Sequence, residues 1–136
     1  MDWAVADVTD WSPQRKYDVW HDRAVFHFLT EQDQRVAYRR VLLQGLKAGG
    51  LLIIATFALD GPERCSGLLV ERYDAAKLAN ASGQSFYLLD SWQDQQETPR
   101  GSQQSFNWCA FRSADSMSRI RAGARTRCAG LAFVVR

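Results

Sequence analysis

The chain has 136 residues, 46% of them hydrophobic and 24% charged, with a formal net charge of +2. That length allows one small domain or part of one, and that composition excludes an intrinsically disordered chain. There is no run of about 18 apolar residues, which argues against a transmembrane helix, and the first ten residues carry no basic group that would open a signal peptide.

In chain order, Trp3 to Ala6 is a short apolar stretch that reads as the end of a buried strand. Val8 to Lys16 is polar, contains Pro13 and reads as loop. Tyr17 to Trp20 is a second short strand, followed by the string His21-Asp22-Arg23-Ala24-Val25-Phe26-His27-Phe28-Leu29. Thr30 is placed to cap a helix with Asp33 in capping-box position. The apolar positions Val36, Tyr38, Val41, Leu42 and Leu46 predict that this helix runs until the glycines at 49 and 50. Leu51 to Phe57 is then a continuous apolar run, the pattern of a strand buried on both faces.

Asp60-Gly61-Pro62 opens a loop that runs through Cys65-Ser66-Gly67, and Asp74 is placed to cap a short helix over 75–81. Two further strands are predicted at Phe86 to Leu89 and Phe106 to Phe111. The glutamine-rich link Gln93 to Gln104 is too short for a helical crossover, so that last pair should be antiparallel. Together these elements predict an α/β fold with a parallel middle and a closing antiparallel hairpin. Cys65, Cys109 and Cys128 form no CxxC pair, which argues against a disulfide framework or a metal site and for a reducing cytoplasm. From Ser113 onward five arginines face one acid, Asp115, so the first 112 residues are net acidic and a boundary falls at Arg112/Ser113. The basic tail, 113–136, reads as a disordered or loosely helical extension rather than a contact for RNA or an acidic membrane, since only Phe133 is aromatic among its arginines, and its apolar end from Leu131 could add a strand or meet a partner.

The turn Leu46-Lys47-Ala48-Gly49-Gly50 before an apolar strand resembles the entry to the fifth strand of class I S-adenosylmethionine-dependent methyltransferases of the small-molecule type. Lys47-Ala48 stands where that family usually has Lys-Pro. Ala6-Asp7-Val8-Thr9-Asp10-Trp11 resembles the acidic loop after the family's third strand, and the string from Tyr17 to Leu29 resembles its fourth strand and the loop beside the transfer site. The loop from Ala55 to Leu68 is similar to the one that follows the fifth strand. The resemblance covers about residues 1 to 112 and implies a partial Rossmann-like sheet in which the first two strands are missing. The glycine-rich turn that would approach the cofactor's methionine portion, and the acid that would hold its ribose, are not in this sequence.

By that resemblance the cofactor is S-adenosylmethionine, with Asp7, Val8 and His21 left to contact it and Asp7 facing the adenine amino group. Asp7 could equally be a loop acid that caps a turn. His21, Asp22, Arg23 and His27 are the candidate catalytic residues at the active-site mouth. An imidazole titrates near neutrality and can act as a general base, although methyl transfer needs mainly in-line placement. Either histidine could instead serve in packing. Cys65 reads as a thiol overhanging the substrate site or as an inert buried cysteine. The implied activity is methyl transfer to a small molecule, weak or absent in this chain alone. The alternative is a non-catalytic module that dimerises through a sheet edge left open, or joins a separate N-terminal half.

Overall fold

The computed structural model describes residues 4–114 and 131–134. The first strand, β1 (Tyr17–Arg23), leads through a single 3₁₀ turn at Phe26–Phe28 into helix α1 (Gln32–Gly45), which returns to β2 (Leu46–Phe57). β1 and β2 are parallel, with His21 opposite Ile53 and Arg23 opposite Ala55. A two-residue hairpin, β3 (Arg64–Cys65) and β4 (Leu68–Leu69), stands apart in the loop that follows. Helix α2 (Ala75–Ser82) then precedes the long antiparallel pair β5 (Phe86–Glu97) and β6 (Gln103–Ser113). The final strand, β7 (Leu131–Val134), lies parallel to β1, so the sheet order is β5-β6-β2-β1-β7.

Helix α1 buries Tyr38, Val41, Leu42 and Gly45, the i, i+3, i+4, i+7 stripe of an amphipathic helix. They join Trp20, Leu52 and Ile54 of the sheet and Leu78 of α2 in the main core. Successive strand residues point to opposite faces, so Trp20 and Asp22 lie under α1 while His21 and Arg23 project from the other side. On that second face a smaller cluster of Ala55, Phe57 and Phe106 is packed by Cys65 and Val70 from the loop after β2. Among the described residues no helix is long and apolar enough to cross a membrane.

Several expectations shift. Residues 4–6 are irregular and exposed rather than strand, and residues 1–3 lie outside the described part. Helix α1 is capped at Glu31, one residue later than Thr30, where the Gln34 side chain accepts from the Glu31 N–H at 3.1 Å. The helix ends at Gly45, not at the glycine pair. A Cβ on Gly45 would come within 2.9 Å of the Trp20 ring and 3.0 Å of Pro13, so close approach rather than capping selects this glycine. Gly49, at φ 73°, instead makes the irregularity by which β2 enters its register with β1. The polar link from Gln93 to Gln104 is mostly strand, paired through Glu97 with Gln103 and turned over Thr98–Ser102. Polar side chains suit a ribbon open to water, and their polarity mimicked a loop.

β6 closes at Ser113, and part of the basic tail returns to the sheet as β7. The position beside β1 is taken by this chain's own Leu131–Val134, so the outer strand on that side of the sheet is β7. Residues 115–130 and 135–136, with the tail arginines, lie outside the described part.

Candidate active site

At the carboxyl end of β1 the chain must leave the sheet and start a helix layer, and Asp22 governs how it does so. Its Oδ1 accepts from the backbone N–H groups of Val25 (3.0 Å) and Phe26 (3.4 Å), and its Oδ2 accepts from the Tyr38 hydroxyl at 2.5 Å. That hydroxyl also accepts from the Trp20 indole N–H at 3.1 Å. The carboxylate thereby holds a tight turn in which Ala24 adopts φ 61°, a left-handed backbone uncommon for any residue but glycine. The Ala24 N–H donates to the Ala55 carbonyl at 2.9 Å, tying the turn to the end of β2. Asp22 is wholly buried, and desolvation pushes its carboxyl up to about 6 against the lowering effect of its three hydrogen bonds. Burial, reinforced by Asp22, drives the Tyr38 phenol well above its ordinary value.

His27 is also fully buried. Its Nδ1 accepts from the Phe57 N–H at 3.1 Å and its carbonyl accepts from the Glu71 N–H at 2.8 Å, so it joins the turn, the end of β2 and the following loop. An accepting Nδ1 puts the proton of the neutral ring on Nε2, which has no partner among the described residues. Desolvation depresses this imidazole to about 4. Neither Asp22 nor His27 faces solvent. Both hold backbone.

The two remaining members of the string share the other face. His21 is half-buried, its ring 5.7 Å from that of Trp108, and its imidazole is lowered by desolvation first and by the neighbouring Arg23 charge second. Arg23 is exposed, with its guanidinium 5.2 Å from the centroid of Phe106 and a hydrogen bond to the Gln96 side-chain oxygen. Trp108 stacks on Trp92 with centroids 5.9 Å apart and planes 2° from parallel. Phe106, Trp108, Trp92 and Gln96 come from the antiparallel hairpin, far away in sequence. Nothing local in the string around His21 signals them. Cys65 is half-buried against the Phe57 and Phe106 cluster.

The acidic loop is not brought to this place. Asp7 is exposed, and its Oδ1 accepts from the backbone N–H (2.9 Å) and hydroxyl (2.6 Å) of Thr9, bonds that lower its pKa. Thr9 is in turn linked by its carbonyl to Arg40 of α1 at 3.5 Å, and Val8 packs on the helix-side core, across the sheet from His21. Asp7 in this arrangement caps a turn.

A parallel core closed by an antiparallel hairpin, with helices packed on the sheet, defines an α/β domain. No family model and no curated protein matches the sequence significantly. Solved structures do. An S-adenosylmethionine-dependent methyltransferase from Methanosarcina mazei superposes with a TM-score of 0.68 at 10% identity, over 83% of this chain and 67% of that one. The N-methyltransferase NodS from Bradyrhizobium japonicum gives 0.63 at 17%, over 83% and 60%. The 1,6-didemethyltoxoflavin-N1-methyltransferase from Burkholderia thailandensis gives 0.61 at 18%, over 81% and 49%. The chain has the class I methyltransferase fold, in part: it spans between 49% and 67% of the length of these three structures.

Proposed function

We propose that this chain is a methyltransferase-fold domain whose small-molecule acceptor side lies at His21 and Arg23, and whose hold on S-adenosylmethionine is weak without further polypeptide. The observation that carries the reading is the placement of these two side chains together on one face at the carboxyl end of β1, in a fold shared with small-molecule methyltransferases. His21, held below its usual pKa, is neutral at pH 7 and can take a proton from an acceptor's nucleophile. Asp22 and His27 act as positioning residues: they fix the turn at Ala24 and so the direction of Arg23.

The described residues do not fit a whole cofactor site. The sequence holds no GxGxG turn, the sheet position outside β1 is taken by β7, and the Asp7 carboxylate is spent on Thr9. The glycine-rich turn and the ribose acid would come from another segment or a partner polypeptide. Each missing buried hydrogen bond is worth about 1 kcal/mol, so losing several weakens binding by about a hundredfold or more. A reducing cytoplasm suits Cys65 and Cys109 as free thiols. Isothermal titration of the 136-residue chain with S-adenosylmethionine and S-adenosylhomocysteine tests the reading. Heats too weak to fit are expected, and micromolar binding of either ligand would overturn the claim of an incomplete cofactor site.

A further inference from the structure

We propose that the end of β1 is a carboxylate-binding site centred on Arg23, and that the acceptor carries a carboxylate. This names the substrate class of the acceptor side and rests on that reading of the β1 end. Arg23 is the last residue of β1 and is open to solvent, so a ligand can reach it. Its guanidinium is held in place before any ligand arrives. The Phe106 ring supports one face, and the Gln96 oxygen accepts one of its five N–H groups. The Gln96 amide is itself oriented, because its nitrogen donates to Asp94 Oδ2 at 3.0 Å and so turns the oxygen toward Arg23. A guanidinium fork fixed in this way loses little freedom when it meets a carboxylate.

The ion pairs among the described residues join Lys47 to Asp18, Arg72 to Glu63 and Lys77 to Glu71, and Arg23 is in none of them. Its partner is the neutral Gln96 amide, and the Asp94 carboxylate meets the other end of that amide rather than the guanidinium. On the same face Trp108 stacks on Trp92, and the His21 ring lies against Trp108.

The probes are 4-hydroxybenzoate and its methyl ester, titrated into the chain while tryptophan emission is followed. The acid should bind on the order of tenfold more tightly than the ester, the value of a charge-assisted contact. R23Q should remove that preference, and R23K should keep part of it because the charge remains without the fork. Circular dichroism of each variant checks that the exposed substitution leaves the fold intact. Equal binding of acid and ester, or an unchanged preference in R23Q, would overturn the site. Binding of S-adenosylhomocysteine that R23Q abolishes would also overturn the assignment, because the carboxylate recognised would be the cofactor's. Tight S-adenosylhomocysteine binding together with an intact, Arg23-dependent acid preference would instead sink the weak-cofactor reading and leave the carboxylate site standing.

Discussion

Asp22→Asn isolates what the buried carboxylate costs the fold. In the folded chain desolvation raises this group from 3.8 to about 6, so between those values the native state holds a proton that the unfolded chain has released. Stability therefore falls as pH rises through this window. The full difference is about 3 kcal/mol at 1.36 kcal/mol per pKa unit, and about 2 kcal/mol of it lies between pH 4.5 and 7.5. Asparagine cannot ionise, yet its side-chain oxygen can still accept from Val25 and Phe26, while its amide nitrogen would face the Tyr38 hydroxyl and donate to it. The assay is urea unfolding of both proteins at several pH values, with the difference in stability plotted against pH. Other titrating groups cancel in that difference, including His27. The depressed imidazole of His27 acts oppositely, because its contribution is full above 6.5 and lost as pH falls toward 4. The variant should gain on the parent by about 2 kcal/mol from pH 4.5 to 7.5. A difference that is flat with pH, or that slopes the other way, would refute the claim that burial governs Asp22.

Tyr38→Phe removes a donor to Asp22 and the acceptor of the Trp20 indole N–H, both in the core. A destabilisation of about 2–4 kcal/mol is expected at pH 7.5, smaller at pH 4.5 where Asp22 is largely protonated; equal losses at both pH values in denaturant titrations would count against it. Gly45→Ala should cost about 1–3 kcal/mol, because its Cβ would press on Trp20 and Pro13 with little room to yield. A thermal melt within a degree of the parent would show that α1 can shift. Asp74 caps α2 by accepting from the Lys77 N–H at 2.7 Å, so Asp74→Ala should lose about 1 kcal/mol, read as a lower urea midpoint at unchanged slope.

Much of the architecture was legible in the residues themselves. The helical stripe of Tyr38, Val41 and Leu42, the apolar run from Leu51 to Phe57 and the N-cap at Asp74 are local patterns, and each became the element it implied. The two strands of the hairpin were expected but shorter, since the glutamines that continue them lie on a ribbon exposed to water and gain nothing from being apolar. The apolar end of the tail allowed either a strand or a contact with a partner, within an extension read as disordered or loosely helical. Its place beside β1 depended on which sheet edge was open, a property of the folded sheet and not of Leu131–Val134.

The string from His21 to His27 was visible as a cluster, but its members look alike in sequence. Strand alternation separates them: it turns Asp22 under α1, where burial raises its pKa against the lowering bond from Tyr38, and His21 and Arg23 outward toward Trp108 and Phe106. Local pattern determined that β1 would end in a polar turn. Only the folded sheet, by bringing the distant hairpin across β2, decided that Arg23 rests on Phe106 and Gln96, because those contacts join residues more than seventy positions apart.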